Sequence, residues 1–163
     1  MRHTLTAAVL LMCAFALPAH AAGVTWYRWN EGLAAAARSK RPVIVDVYTD
    51  WCGWCKRMDR ETYARAEVGA YLNAHFVMVR LNAESTERAS YQGRAFDGKS
   101  LAGAFDVTGY PTTIFLRPNG DHMVNVPGYI PADKFMKLAR FIGDGDMDRG
   151  VSWETYSKTA GGK

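Results

Sequence analysis

Val43-Ile44-Val45-Asp46-Val47-Tyr48-Thr49-Asp50-Trp51-Cys52-Gly53-Trp54-Cys55 is the stretch that decides how this chain reads. Its first six residues are a β-branched, apolar run interrupted by one acid, which predicts a buried central strand. A helix is expected to start around Cys52 and to continue through Met58 towards Tyr63. A helix N-terminus carries unpaired N–H groups and a partial positive charge, and both stabilise an anion. Thiolate rather than thiol attacks disulfides, so a cysteine at that position is reactive near neutral pH. Cys52 is therefore read as the nucleophile that captures a disulfide. Cys55, one helical turn deeper and less exposed, is read as the thiol that displaces the captured partner and leaves Cys52–Cys55 oxidised.

Working outward, residues 22–30 are aromatic and irregular, and Asn30 is a reasonable N-cap for an alanine-rich helix over Glu31 to Lys40 that Pro42 ends. Downstream, a second helical piece covers Ala66 to Ala74, with Val68, Tyr71 and Leu72 on one side, and Phe76 to Leu81 reads as the next strand. Residues 82–98 are polar, contain two glycines, and are expected as a long surface excursion of the tolerated kind. A short helix is expected over Ser100 to Phe105. Thr112 to Leu116 and Met123 to Val126 form a hairpin about the turn Pro118-Asn119-Gly120-Asp121. Pro131 opens a last amphipathic helix that buries Phe135, Leu138, Ala139 and Ile142. Gly143-Asp144-Gly145-Asp146 breaks it, and one more turn is expected over Ser152 to Lys158. The alternation predicts an α/β fold with a central mixed β-sheet and helices on both faces.

The 163 residues suit one domain, and 48% hydrophobic with 22% charged residues is an ordinary globular balance. Met1-Arg2-His3, the apolar run Leu5 to Leu17 and Pro18-Ala19-His20-Ala21 have the pattern of a secretory signal peptide cleaved near Ala21. The run is shorter than the ~20 residues of a membrane-spanning helix. The expectation is a leader over 1–21, then a single domain over 22–163 with a short C-terminal tail, located in the periplasm or secreted. Cys13 would be lost with the leader, leaving only the closely spaced pair, whose bridge closes almost no loop and so suits chemistry better than stapling. The formal charge of +4 is scattered among acids without a single-sign run, which argues against a nucleic-acid partner. Tetrahedral zinc needs four ligands. Past the leader only His75 and His122 could join the two cysteines, and they read as a helix-end and a hairpin residue, so no metal is expected.

Asp46 to Lys56, together with the distant Gly109-Tyr110-Pro111-Thr112, resembles the active-site segment and cis-proline loop of the thioredoxin superfamily. The resemblance covers roughly residues 40–142. From Arg41 to Asn82 it is most similar to periplasmic thioredoxin-like reductases, including the C-terminal domains of membrane-spanning thiol electron transporters. It implies a thioredoxin fold and a redox-active Cys52–Cys55 disulfide in place of any bound cofactor. It further implies Asp46 as a buried proton acceptor for Cys55, its pKa raised by desolvation. A lysine is familiar at the position of Arg80; a permanently charged arginine that reached Asp46 would oppose that shift. Pro111 is implied to follow a cis bond, with the Tyr110 backbone pairing an extended substrate. Trp51 and Trp54 flank the reactive sulfur as substrate contacts. Gly128 near the same groove allows close backbone approach, and Lys56 and Arg57 read as solvated helix charges. The implied partners are protein disulfides and a membrane electron donor, acting on a monomer. Oxidase or isomerase work, or a thiol or metal chaperone without turnover, are the competing readings.

Overall fold

The computed structural model describes residues 23–159; the expected leader, its cleavage near Ala21 and Cys13 lie outside the described residues. Strand β2, Val43–Tyr48, lies at the middle of a five-stranded sheet because both of its faces are buried. On one side it pairs in parallel with β3, Val77–Asn82, which in turn holds the short parallel strand β1, Trp26–Tyr27. On the other side it pairs antiparallel with β6, Thr112–Leu116, which holds β7, His122–Pro127. The period of two along β2 sorts its side chains between two cores. Val43, Val45 and Val47 pack with Trp29, Ala36 and Leu101 from helices α1, Trp29–Ser39, and α4, Gly98–Ala104. Ile44 packs with Met58, Leu72, Phe115 and Phe135 under the helices of the opposite face.

Those helices are α2, Gly53–Met58, which continues into a π-helical turn, Asp59–Tyr63, then α3, Ala66–His75, and α5, Ala132–Gly143. Phe76, Phe115 and Phe135 are all but fully buried between them. Truncating any one to alanine costs about 3–5 kcal/mol through lost transfer energy and an unfilled cavity. The mixed sheet with helices on both faces is the predicted architecture. No helix among the described residues is long and apolar enough to cross a membrane.

Three local expectations are corrected. Residues 22–30 are not all irregular, because Trp26 and Tyr27 pair with Met78 and Val79. Asn30 does not cap α1: the cap position is Arg28, and Asn30 sits inside the first turn. Its side chain instead donates to Arg88 O at 2.8 Å and accepts from Ser90 N at 2.8 Å, copying a strand's pairing pattern. The partner it pairs is a hairpin inside the supposed excursion, β4, Ala89–Tyr91, with β5, Arg94–Phe96. Ala89 is buried and Trp29 Nε1 donates to Ser90 O at 2.9 Å, so this segment is packed onto α1 rather than being a loose polar loop.

Single residues set two junctions between elements. Helix α4 starts at Gly98, earlier than Ser100, because Asp97 and Ser100 cap it reciprocally. A side chain at Gly98 would collide with the carbonyl oxygens of Asn82 and Ser85, so glycine lets the helix seat tightly against the end of β3. After α5 the chain turns and α6, Trp153–Thr159, lays Trp153 and Tyr156 against Phe141 at 5.5 and 5.0 Å. The tail is thus attached to the fold.

Replacing Asn30 with alanine removes both hydrogen bonds to the hairpin. The expected cost is about 1–2 kcal/mol, measured by urea unfolding, together with faster hydrogen exchange at the Ser90 amide. Unchanged exchange at Ser90 would show that the hairpin is held without Asn30.

Candidate active site

Strand register brings the polar centre together. Asp46 lies opposite Arg80 on β3 and opposite Thr113 on β6, so the three share one row of the sheet. The row faces the helical stretch 53–63. Arg80 donates to Asp46 Oδ2 from Nη2 at 3.1 Å and from Nε at 3.3 Å, and to Asp59 Oδ1 at 2.6 Å. Its guanidinium lies between aromatic rings, 4.9 Å from the Trp26 centroid and 4.6 Å from that of Tyr48. The π turn contributes both half-buried Asp59, which pairs with the arginine, and buried Tyr63. Such turns are frequent at functional sites, because the wider i→i+5 step re-aims side chains within one helix. Here Ala64 N bonds Asp59 O at 2.9 Å in that step.

Asp46 is only 1% exposed. Burial raises its pKa from 3.8 to about 6, and the Arg80 charge and hydrogen bond oppose the rise without cancelling it. The expected arginine contact is present, and desolvation outweighs it. Among the described residues, no partner meets hydrogen-bond geometry with Asp46 Oδ1 or with the hydroxyls of Tyr63 and Thr113, although the three groups are close enough for Tyr63 to act on the carboxyl and Thr113 on Tyr63. Burial, followed by the charge of Asp46, drives the Tyr63 hydroxyl well above the ordinary tyrosine pKa. Tyr63 therefore stays protonated beside the carboxylate.

Helix 53–63 carries the cysteines at its start. They form a disulfide, with Cα atoms 5.3 Å apart. Cys52 is the N-cap residue, and its Sγ accepts the backbone N–H of Cys55 at 3.1 Å. This N–H is one of the orphan donors of the first turn, directed at the sulfur expected to become an anion. In the oxidised pair both sulfurs are nearly closed off, Cys52 4% and Cys55 3% exposed, so exposure barely separates them.

Around the bridge the side chains are aromatic. Trp51 is 67% exposed, its indole N–H donates to Glu84 Oε1 at 2.9 Å, and its ring meets Tyr110 edge-on at 6.0 Å. The Tyr110–Pro111 bond is cis. Among the described residues no backbone group bonds the main chain of Tyr110. Gly128, with φ +87°, donates its N–H to Pro111 O at 2.8 Å. The left-handed backbone explains the glycine, and the space beside it is open. Trp51, next to Cys52, thus contacts the cis-proline loop, whose Pro111 is tied to Gly128, and Arg80 links Asp46 through Asp59 to the helix that bears Cys55.

Sequence reasoning passed over part of this site. Arg57 is not simply solvated, since it donates to Glu61 at 2.9 Å and lies over the rings of Trp54 and Tyr129. The i,i+4 spacing of Arg57 and Glu61 is visible in sequence. Tyr129, 68 positions from Glu61, gives no local signal. Asp59 and Glu84 were missed in the same way. His75 stacks on Tyr71 at 4.1 Å and His122 contacts Asn125 at 2.8 Å, so neither joins the cysteines.

Residues 29–143 match the family of thioredoxin-like domains. A thiol:disulfide interchange protein DsbD from Ralstonia nicotianae is 35% identical over 116 residues, which is 70% of this chain and 18% of that protein. The chain therefore spans less than a fifth of the length of that relative. Among solved structures, a thioredoxin from Thermus thermophilus superposes with a TM-score of 0.63 at 25% identity, covering 78% of this chain and 93% of that one. The oxidised C-terminal domain of DsbD from Neisseria meningitidis gives 0.52 at 24% identity, covering 71% and 97%, and so shares the fold. With the cysteine pair at the head of its helix and most of its length matched, the chain belongs to the thioredoxin-like domain family.

Proposed function

We propose that this protein is an exported protein-disulfide reductase whose dithiol is Cys52 and Cys55. The observation that carries the reading is a cysteine pair held at the N-terminus of a helix that Arg80 ties, through Asp59, to a buried, proton-binding carboxyl group. In the reduced protein the Cys52 thiolate attacks one sulfur of a substrate disulfide. That bond breaks, the departing substrate sulfur takes up a proton, and a mixed disulfide with Cys52 forms. Cys55 then gives its proton to Asp46 Oδ1 and attacks Cys52 Sγ. The second substrate thiolate leaves, and two electrons have passed from the pair to the substrate. A Cys52–Cys55 disulfide, the pairing present in the structure, is the product that such a cycle leaves.

The unpaired Tyr110 main chain and the aromatic rim of Trp51 and Trp54 support recognition of an extended polypeptide by strand-like pairing beside the cysteines. The reading includes a periplasmic setting after removal of residues 1–21 and re-reduction by a membrane donor; likeness to part of a thiol:disulfide interchange protein supports its thiol–disulfide exchange.

Three outcomes are expected. In insulin reduction with dithiothreitol, Cys52→Ser abolishes activity and Cys55→Ser accumulates mixed disulfides detectable by mass spectrometry; full activity of Cys52→Ser would overturn the mechanism. Equilibration with glutathione should give a potential near the thioredoxin end, about −270 mV, whereas a value near −120 mV would mark an oxidase.

The third concerns pH. Because the folded state binds the Asp46 proton more tightly than the unfolded chain, its contribution to stability is complete below about pH 4 and is lost as pH rises through about 6. The oxidised protein should lose about 3 kcal/mol across that window, and Asp46→Asn should lack this loss in chemical unfolding measured from pH 4 to 7. A variant that kept the full slope would show that Asp46 is not the group responsible.

A further inference from the structure

Beside the disulfide, four side chains close into a ring. Trp54, Arg57 and Glu61 occupy positions i, i+3 and i+7 of the helix that begins at Gly53, and so share a face. Tyr129, just beyond β7, meets them. The Arg57 guanidinium carbon lies 5.1 Å from the Trp54 ring centroid and 5.0 Å from that of Tyr129, and the two rings are 5.7 Å apart. One oxygen, Glu61 Oε2, accepts from Arg57 Nε at 2.9 Å and from the Tyr129 hydroxyl at 2.7 Å.

Each contact alone is exposed and would contribute little. Closed into a ring they restrict one another, and Trp54 is the member that gains most. It stands between the two cysteines in sequence and remains 56% exposed. A free tryptophan on a surface loses rotamer freedom when a partner packs on it. A tryptophan already held by a guanidinium and a second ring has lost that freedom in advance. The Arg57 charge is balanced by Glu61, so the ring is not an unpaired cationic site awaiting an acidic ligand. It presents an aromatic surface beside the sulfurs.

We propose that Trp54 is a docking face for an apolar or aromatic side chain adjacent to the cysteine of an extended, disulfide-bonded polypeptide, and that Arg57, Glu61 and Tyr129 are positioning residues that act through it. This rests on the disulfide-reductase reading and deepens it. Glu61 is the keystone, because one oxygen holds both neighbours. The platform selects among polypeptide substrates and takes no part in the transfer of electrons.

The test uses the full exported chain, dithiothreitol as reductant and two disulfide-linked peptides of equal charge, one with phenylalanine and one with serine beside the cysteine. The wild type should prefer the phenylalanine peptide by about tenfold in kcat/KM, the scale of one well-placed aromatic contact. Glu61→Ala should reduce the preference to about threefold by raising KM for that peptide, and Tyr129→Phe, which keeps the ring and loses the hydroxyl bond, should fall between. Trp54→Ala should abolish the preference, and adding Glu61→Ala to it should change nothing further. A preference that survives Glu61→Ala intact, or that falls again when Glu61→Ala is added to Trp54→Ala, overturns the proposal. Equal turnover of both peptides by the wild type sinks the docking face alone, whereas no turnover of either sinks the reductase reading and the docking face together.

Discussion

A carboxyl group in the centre of a sheet, between apolar neighbours on its own strand, must be either neutralised or paired, since an isolated buried charge costs several kcal/mol. In this chain Asp46 is held between those outcomes. Arg80 reaches only Oδ2, and it divides its charge with Asp59, so the pairing is partial. Burial therefore prevails, and the group titrates near 6, where it can both accept and return a proton at neutral pH. Four of the elements that shape the site are tied to this compromise. β3 supplies the arginine, β1 and β2 supply the rings that enclose it, and the π turn supplies the competing acid.

The same compromise joins the sheet to the reactive helix. Asp59 belongs to the helical stretch that starts at the cysteines, and Arg80 belongs to the strand beside Asp46. The ion pair between them fastens the helix over the carboxylate. The helix start in turn directs the Cys55 amide at Cys52 Sγ. The sulfurs are nearly closed off when oxidised, while tryptophans on either side are more than half exposed. The aromatic rim is thus the exposed surface beside the sulfurs, and each tryptophan is held by a glutamate, Trp51 directly by Glu84 and Trp54 through Arg57 by Glu61.

The legible features of the sequence were local or nearly so. The run Val43–Tyr48 has one reading because its β-branched and aromatic residues, broken only by Asp46, bury both faces, and the cysteine spacing places both sulfurs on one turn. The amphipathic spacing of Phe135, Leu138, Ala139 and Ile142 marks the buried side of α5 for the same reason, although Leu138 is only partly buried and Phe141 joins the core in addition. The failures involve partners distant in sequence. Asn30 has the chemistry of a cap, yet a hairpin almost 60 residues later competes for its amide and wins two bonds where a cap would give one. Trp26 and Tyr27 pair only once β3 exists to receive them. Residues 82–98 look polar because their exposed side chains dominate the composition, while Ala89 and Tyr91 pack inward.

The 82–98 segment shows how a surface insertion can acquire a role at a site. Ala83 N bonds Tyr48 O, which prolongs the β2–β3 pairing by one residue and delivers the chain beside the active-site loop. Asn82 donates to Asp50 at 3.3 Å and Glu84 accepts from Trp51 at 2.9 Å, so two of the three residues before Cys52 are held by this crossing. Further on, the hairpin is anchored to α1 by Trp29 and Asn30 and to the β6–β7 turn by Tyr91, whose hydroxyl donates to Gly120 O at 3.1 Å. A loop tethered at one point would transmit little order to its neighbours. One tethered at its base, middle and tip behaves as a rigid buttress. The approach to Cys52 is therefore fixed by two structures together, the helix that begins there and the insertion that braces the residues before it.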